Sequence, residues 1–508
     1  MLLKKILVLL LGLVITLTAH AQKQVELLKA YELEGDVING VKVQKLKGDV
    51  LFKHNEALMY CDSAYQYSSK NTIDAWGHIR INQGDTVTLT GNTLNYDGNT
   101  KMGVVKGNVV LKDRKTTVTT DVLNYDMANK LASYNTGGVI KDANNTLTSQ
   151  YGVYDTQNKI FHFTKDVKVV NPTKGFVLTS DTMDYNTITK IVTMHGPTKI
   201  ISPDGVVYGD HGQYDTEKAQ SIFKGRAKVE SGNYTLYGDR IYFDEKNKHG
   251  VAEGDVQLIS EKDKTIVVGD LAYYWGSKGI SKVFNNAVLK SISEKDTLFI
   301  SADTLVSIEN PNNMKSKKDR KLLCYNHAKV FRKELQGICD SLVYNFSDST
   351  IYFYEDPVLW NDANQIEADS INVQMANKKI DRMNLRLNSL IISTDSLGEF
   401  NQVKGKDMTA FFYNNKISRI NVMGNGESIY YVVEKDSALI GLNRVICSDI
   451  TVRFSEGKLS TITFIKKPEA RFIPPHEIKE EDTRLKGFNW RIEEKPTREE
   501  VLHLNKEL

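Results

Sequence analysis

Apolar and polar residues alternate with a period of two along most of the chain, which is the spacing of a β-strand with one buried face. Leu123 and Tyr125 fall on one side of such a segment, as do Val256 and Leu258 of another, with a polar residue between the members of each pair. Gly, Asn and Asp interrupt the alternation at short intervals, whereas the 508 residues include only 9 prolines. Gly, Asn and Asp favour turns, and no segment shows a helical period with caps. The pattern predicts an all-β protein.

The alternating segments recur with a period of about thirty residues, which is the signature of a repeat architecture. A typical unit starts at an aspartate that comes one or two positions after a small residue. It ends in Tyr-Asp or Tyr-Asn. Thirteen units begin at Asp62, Asn92, Asp121, Tyr151, Asp181, Asp210, Asp239, Asp270, Asp303, Asp340, Asp369, Asp407 and Asp449. Since the aspartate recurs in every kind of unit, we expect it to have a structural role, accepting backbone hydrogen bonds where a strand begins.

Each unit has a second half that runs from a short polar turn into a Gly-x-Val segment, such as Gly48 to Val50 or Gly107 to Val109. One unit therefore corresponds to two or three short antiparallel strands. Strands with one apolar face must bury it, and similar units can do so by stacking along an axis. The predicted fold is an elongated open β-jellyroll, with two facing antiparallel sheets built from these repeats.

The pattern also divides the chain into four parts. Residues 1–21 read as a cleaved secretory signal peptide, because Lys4 and Lys5 precede an apolar stretch and Ala19-His20-Ala21 resembles a cleavage site. The repeats are regular over 22–310 and more divergent over 311–465, after a soft boundary near Asn310. Residues 466–508 form a polar C-terminal tail, for which the sequence leaves two possibilities open: a strand added to the sheet edge, or a partly disordered terminus.

Composition and motifs give little sign of catalysis or of nucleic-acid binding. The 66 Lys and Arg residues nearly balance 63 Asp and Glu residues, for a net charge of +3, whereas a nucleic-acid-binding protein must neutralise many phosphates. The histidines lack metal-ligand spacing, and no nucleotide-binding or nucleophile motif is present. We predict no catalytic residues, no metal site and no cofactor. The four cysteines are interpreted as small buried residues, although a Cys324–Cys339 bridge is conceivable.

A column of apolar and aromatic side chains repeats on one face of the predicted strands. It could form a closed core between two sheets or, if the sheets splay apart at one edge, line a groove that holds acyl chains; the residues alone do not choose between these. The groove candidates are Val50, Phe52, Leu94, Tyr96, Val109, Leu111, Leu123, Tyr125, Val167, Val169, Met183, Tyr185, Ile241, Phe243, Val256 and Leu258.

The alternating units Lys-Gly-Asn-Val-Val-Leu at 106–111 and Thr-Asp-Val-Leu-Asn-Tyr-Asp at 120–126 resemble the OstA-like family. That family includes the lipopolysaccharide-transport protein LptA and the N-terminal domain of LptD. The resemblance implies an open β-jellyroll, and a non-enzymatic bridge in the periplasm that carries lipopolysaccharide by its lipid A acyl chains for outer-membrane assembly. It also implies partners of the LptC-like and LptD-like kind, joined by edge-strand addition, possible association with the outer membrane, and no nucleic acid.

Two other functions fit the same repeats. A structural or adhesive β-solenoid would have a closed core and would bind protein or glycan on its outer face. A carbohydrate-active enzyme would use a pair of the repeated aspartates. The chain has many more repeats than a short bridge protein, and the residues after 310 are too few for the large membrane barrel of a translocon. A bridge component is therefore the leading hypothesis.

Overall fold

The structure is a computed structural model that describes residues 24–503, apart from 85, 204, 233, 294–295, 314–315, 317–318, 378, 435–437 and 456–457. The predicted signal peptide lies outside the described residues. The chain forms two compact units, residues 1–217 and residues 218–508. The soft boundary that we predict near Asn310 falls inside the second unit.

The described part of the first unit consists of antiparallel strands joined by short turns. They are β1 (Glu26–Lys29), β2 (Glu32–Ile38), β3 (Val41–His54), β4 (Ala57–Tyr67), β5 (Thr72–Gln83), β6 (Val87–Asp97), β7 (Met102–Asp113), β8 (Thr116–Asp126), β9 (Leu131–Tyr134), β10 (Gly138–Lys141), β11 (Thr146–Ser149), β12 (Tyr151–Asp155), β13 (Ile160–Asn171), β14 (Phe176–Asn186), β15 (Ile191–Met194), β16 (Thr198–Ser202), β17 (Gly205–Gly209) and β18 (His211–Asp215).

The second unit has the same kind of arrangement and ends in short helical turns. Its strands are β19 (Gln220–Ser231), β20 (Tyr234–Asp244), β21 (His249–Ser260), β22 (Thr265–Trp275), β23 (Ile280–Ile292), β24 (Thr297–Ile308), β25 (Lys321–Tyr325), β26 (Ala328–Arg332), β27 (Leu335–Cys339), β28 (Ser341–Asn345), β29 (Thr350–Tyr354), β30 (Val358–Asn361), β31 (Asn364–Glu367), β32 (Ser370–Ala376), β33 (Lys379–Thr394), β34 (Phe400–Tyr413), β35 (Lys416–Glu434), β36 (Ala438–Ser455), β37 (Lys458–Ile465) and β38 (Glu469–Ile473). Three 3₁₀ turns (Pro475–Glu477, Glu480–Asp482 and Ile492–Glu494) and the helix α1 (Arg498–Val501) follow. The prediction of an all-β fold is confirmed.

Most long strands bend in the middle, so that one strand contributes to both sheet layers. The pairing register shifts at this bend, for example between Lys47 and Val50 of β3 and between Lys106 and Val109 of β7. A shift of this kind is a β-bulge, which turns the strand through a corner. The Gly-x-Val segments of the sequence are these corners. The corners line one side of each unit, and the turns between strands lie on the opposite side, which we call the mouth.

The corner requires two successive residues in the left-handed region. Gly48 and Asp49 have φ of 76° and 44°, and Gly107 and Asn108 have φ of 78° and 50°. Glycine adopts this region without a steric penalty, and Asn and Asp tolerate it better than other residues. The Gly-Asp and Gly-Asn pairs of the repeat therefore follow from the backbone conformation of the bend.

The repeated aspartate packs on the corner glycine of the neighbouring strand. A Cβ atom at Gly77 would lie 2.2 Å from Asp62 Oδ2, and one at Gly254 would lie 2.4 Å from Asp239 Oδ2. Asp62 also makes a hydrogen bond of 2.7 Å with Nδ1 of His78, the residue after the glycine. The predicted role, accepting backbone hydrogen bonds where a strand begins, is met only in part. The aspartate lies in the middle of the strand; Asp449 accepts from the N–H of Gly424, whereas Asp62 binds the His78 side chain.

Burial alternates on both sides of the corner. In β13, Phe161, Phe163, Val167 and Val169 are at most 1% exposed, and the intervening residues mostly face solvent. The bulge adds one residue to the strand. The residues that face inward after the bend therefore keep the same alternation as those before it. Both halves of a strand therefore bury their apolar side chains in the same space between two facing layers.

The last strands of the second unit bury apolar residues on both faces. One face contributes Met408, Ile420 and Val452 to the inter-sheet core. The other face forms a second cluster around Ile392 and Leu442. The C-terminal tail covers this second cluster, and its residues Leu485, Phe488 and Trp490 pack there.

The tail both adds a strand and docks by side-chain hydrogen bonds. Its first part is β38, which pairs with β36. Further on, the amide of Gln402 donates to the carbonyl of Thr483 and accepts from the N–H of Leu485, both at 2.8 Å. Gln365 does the same with Asn489 and Arg491, at 2.6 and 2.7 Å. Both glutamines are fully buried, so each replaces a strand in satisfying an extended backbone.

Candidate functional site

The predicted groove residues lie on the inward faces of the strands, as the alternation requires. Fourteen of them are at most 3% exposed, whereas Phe243 and Leu258 are half-buried. No ligand contact tests their assignment to a lipid groove, which stays a prediction. The burial of the inward side chains differs along the chain. Those of the first unit are sealed from solvent, whereas several in the first strands of the second unit are accessible.

In the first unit, tyrosines cross the mouth from one sheet layer to the other. Each comes just before the turn that ends its unit, and its hydroxyl reaches a polar side chain 41–43 residues earlier, at the opposite turn. We call each such pair a rung. The four rungs are Tyr96 with His54, Tyr125 with Gln83, Tyr154 with Asp113, and Tyr185 with Asp142.

The rungs hold buried hydroxyls. The oxygen of Tyr96 lies 2.6 Å from His54 Nδ1, and Tyr154 donates to Asp113 Oδ2 over 2.6 Å. Burial raises the pKa of the Tyr125 hydroxyl to about 12, and it raises the pKa of Tyr154 and of Tyr185 further, with a contribution from the adjacent carboxylate. All four tyrosines therefore act as neutral donors or acceptors at ordinary pH.

In two of the rungs a lysine forms an ion pair with the carboxylate. Lys159 pairs with Asp113, and Lys190 lies 3.2 Å from Asp142. Burial by itself would raise the pKa of the Asp142 carboxyl, but hydrogen bonds from Tyr185, Asn144 and Asn145 and the charge of Lys190 hold that pKa below its usual value. Asp142 is therefore ionised, and the ion pair closes the mouth at this level.

The inward face becomes accessible in the first strands of the second unit. We call residues 220–275, which form β19 to β22, the open segment. Leu178 and Tyr185 of the first unit are 0% and 1% exposed, whereas their counterparts Leu236 and Phe243 are half-buried. The half-buried inward residues of the open segment are Val229, Leu236, Phe243, Leu258, Val267 and Tyr274.

An ionic group lies on the mouth side of the open segment. Arg320 Nη1 is 2.7 Å from Asp263 Oδ2 and its Nε is 3.2 Å from Glu309 Oε1. Asp263 belongs to the turn between β21 and β22, and Glu309 follows β24 at the opposite layer. Burial raises the pKa of Glu309. Arg320 therefore links the two layers where the first unit uses a tyrosine.

Comparison with known proteins identifies the repeats. The sequence model of one family, described as OstA-like protein, matches residues 22–176 and 173–239. Residues 22–239 are therefore similar in sequence to OstA-like proteins. The matched region runs through the first unit from residue 22 and ends within β20, so it includes one strand and part of a second of the open segment. No curated protein matches the chain.

Two solved structures share limited similarity with this chain. One is LptH from Pseudomonas aeruginosa, described as the LptA-homologous periplasmic component of the conserved lipopolysaccharide transport device. It is 15% identical over 24% of this chain and 82% of LptH, with a TM-score of 0.21. The other is a prolyl endopeptidase, 9% identical over 84% of this chain and 54% of its own, with a TM-score of 0.10. Neither likeness carries an argument at these TM-scores.

The second unit also has a small cavity between its layers. Its volume is about 90 Å³, and Ile391, Val403, Ile420 and Val452 contribute to its wall. The Ser428 hydroxyl at its edge makes no hydrogen bond within the described residues. Ligand pockets usually exceed about 300 Å³, so this cavity does not hold an acyl chain in the present conformation.

Other kinds of functional site would need metal ligands, a membrane-spanning helix or reactive thiols. Within the described ranges, no three His, Cys, Asp or Glu side chains gather as a metal site would require. No helix among the described residues is long and apolar enough to cross a membrane. The four cysteines are free and buried, which agrees with their interpretation as small core residues.

The sequence patterns did not predict the polar members of the rungs. His54, Gln83, Asp113 and Asp142 differ in chemical type, so no repeated letter marks them. One signal was available: each tyrosine of the column precedes a turn lysine by five residues in four successive units. A polar residue 41–43 positions before each tyrosine completes the set.

Proposed function

We propose that the protein binds lipopolysaccharide by its lipid A acyl chains and passes it through the space between the two sheet layers, as a non-enzymatic bridge in the periplasm for outer-membrane assembly. Sequence similarity to OstA-like proteins supports this role, as does the predicted leader, which would export the chain. The energy for transport comes from another component, because the sequence has no nucleotide-binding motif.

The half-buried inward face of the open segment is the observation that carries this proposal. Side chains such as Leu258 and Phe243 are apolar and face the inter-sheet space, yet solvent reaches them. Covering apolar surface contributes about 25 cal/mol per Å². An acyl chain lying along this face would be stabilised in this way while its polar head group stayed at the mouth in water.

The sealed residues of the first unit enter the same proposal in a second step. Leu111 and Val167 are 0% and 1% exposed, so an acyl chain contacts them only when the sheet layers separate at the mouth. The rungs are the hydrogen bonds that must break for this to happen. Lipid would therefore contact the inward residues of the first unit only as rungs open.

Strand addition is the proposed mode of contact with partners. β2 pairs with β3, and it presents Leu33 and Val37, which are 58% and 61% exposed. An edge strand with exposed apolar side chains can pair with a strand of another protein. LptC-like and LptD-like bridge components are the partners that we propose, with possible outer-membrane association through the latter.

A photocrosslinker placed at Leu258 or at Gln257 tests the function. Leu258 faces inward and Gln257, its neighbour in β21, faces outward, so the two positions differ only in the side of the sheet that they sample. We expect capture of lipopolysaccharide in cells from position 258 and little from position 257. Equal capture from both positions, or none from either, would contradict the proposal.

A structural or adhesive β-solenoid remains the second candidate, because the sealed core of the first unit is what such a protein would have. The two functions differ in what the purified protein carries. Mass spectrometry of lipids that copurify with the full-length protein after gentle extraction distinguishes them. Lipid-free protein, together with binding of a protein or glycan to the outer face, would favour the solenoid.

A further inference from the structure

A lysine occupies the same turn position in each of the four rungs, five residues after the tyrosine. These residues are Lys101, Lys130, Lys159 and Lys190, and their φ angles are 59°, 58°, 62° and 61°. All four therefore lie in the left-handed region. The position recurs once in each thirty-residue repeat, on the mouth side. The four lysines therefore form a row along the first compact unit.

Other residue types would adopt the left-handed backbone conformation of this turn with less steric strain than lysine. A side chain with a Cβ is sterically disfavoured in the left-handed region, and Gly or Asn is disfavoured less than Lys. The turn one unit earlier uses Asn71, with φ of 56°, which shows that the fold accepts Asn here. Four successive lysines at a position that disfavours them point to a role for the ammonium group.

Two rungs show what the ammonium group can do. Lys159 pairs with Asp113, to which Tyr154 also donates. Lys190 and Tyr185 approach Asp142 in the same way. At these levels a lysine and a tyrosine hydroxyl together bind one anionic oxygen, and the chain itself supplies the anion.

The other two rungs have the lysine and the tyrosine but no carboxylate. His54 and Gln83 stand at the positions of Asp113 and Asp142. Lys101 is half-buried and Lys130 is exposed, and no carboxylate of the described residues forms an ion pair with either. The charge arrangement at these levels therefore lacks the anion that the next two rungs contain.

We propose that Lys101 and Lys130 bind phosphate groups of the lipid whose acyl chains occupy the inter-sheet space. The inference rests on the proposed function and specifies where the head group would lie. Tyr96 and Tyr125 belong to strands two apart in the same layer, so the two rungs are about 10 Å apart. A lipid with two phosphates could span both, and each ammonium–phosphate contact would be a charge-assisted hydrogen bond.

The double variant Lys101→Asn, Lys130→Asn tests this site without endangering the fold, because Asn tolerates the left-handed region better than Lys. The control is Lys47→Gln, Lys106→Gln, which removes the same charge from exposed positions at the corner side. Binding of lipopolysaccharide with phosphorylated lipid A, of its dephosphorylated form and of inorganic phosphate alone is measured by titration calorimetry on the full chain.

We expect the phosphorylated lipopolysaccharide to bind the wild type and the Lys47→Gln, Lys106→Gln control (the corner control) equally well. It should bind the Lys101→Asn, Lys130→Asn variant (the mouth variant) roughly tenfold more weakly. The dephosphorylated form should bind all three proteins equally. A second variant, Gln83→Asp, supplies a carboxylate to Lys130 and should weaken only the phosphorylated form.

Four results would overturn the inference. Equal binding of both lipid forms to the wild type, or an equal loss in the corner control, would leave the proposed function standing and reject the phosphate site. Binding of inorganic phosphate as tight as that of the lipid would assign the site to free phosphate. Binding of neither lipid form would reject the site and the proposed function together.

Discussion

The hydroxyl of Tyr154 donates a hydrogen bond of 2.6 Å to Asp113, which lies 41 residues earlier in the chain and in the opposite sheet layer. Both groups are buried, at 3% exposure each. This contact and its three equivalents hold the mouth of the first unit closed. They join the two sheet layers at four successive levels.

Replacing Tyr154 by Phe should destabilise the mouth by about 1.5–3 kcal/mol, because a buried carboxylate loses a donor. Native-state hydrogen exchange of β12 and β7, the strands that carry Tyr154 and Asp113, measures this as faster local opening. Tyr151→Phe is the matched control, since its ring is 44% exposed on the outer face. Similar exchange in both variants would show that the rung does not stabilise the mouth.

The contribution of Asp142 to stability should depend on pH. Its pKa is lower in the folded protein than the ordinary value of 3.8, so its stabilising effect is fully present above that value and is lost as the pH falls through the folded pKa. We expect wild type to be more stable than Asp142→Asn at pH 7, with the difference shrinking below about pH 4. Urea unfolding across this range measures it, and a difference that grows in acid would contradict the assignment.

Replacing Gln402 by Leu should release part of the C-terminal tail. The substitution keeps the volume but leaves the N–H of Leu485 and the carbonyl of Thr483 without their partner, at about 1–3 kcal/mol. Limited proteolysis should then cut within 474–503 more rapidly. The control Gln213→Ala alters an exposed glutamine and should change nothing, whereas equal cleavage in both would argue against the clamp.

Two glycine substitutions separate backbone strain from close packing at the corner. Gly84, in a turn, has φ of 60° and open space where a Cβ would lie, whereas Gly77, at a corner, has φ of 77° and Asp62 in contact. Gly84→Ala should destabilise the fold by about 1 kcal/mol from φ alone. Gly77→Ala should add a further destabilisation of roughly 1–3 kcal/mol from the clash. Equal midpoints of urea unfolding would show that Asp62 moves aside freely.

The cysteines should be unreactive in the native protein. Burial raises the pKa of Cys61 and of Cys339 to about 12, and it raises the pKa of Cys324 and Cys447 as well. We expect no reaction with a disulfide reagent at pH 8, and reaction of all four thiols in denaturant without reductant. Two reactive thiols in denaturant would instead indicate a Cys324–Cys339 bridge.

Local patterns in the sequence were enough for the strands, the repeats and the inward side chains. Side chains alternate strictly in a strand, so the positions of Leu123 and Val167 in the inward column follow from their spacing alone. The corner glycines are equally local, because the bend at Gly48 and Asp49 needs backbone angles that few residues adopt. Even the bulge leaves a mark, since Phe163 and Val167, the inward residues on either side of it in β13, are four residues apart instead of two.

Contacts between the two sheet layers depended on the tertiary structure. Alternation places Tyr154 inward but does not determine that it meets Asp113, because the stagger between facing layers comes from the twist and bending of the strands. The same holds for the tail, whose backbone is bound by Gln365 and Gln402 from distant strands. Leu178 and Leu236 have the same spacing in the sequence and therefore lie on the same face of their strands. Only the separation of the sheet layers decides that Leu178 is sealed and Leu236 is accessible to solvent.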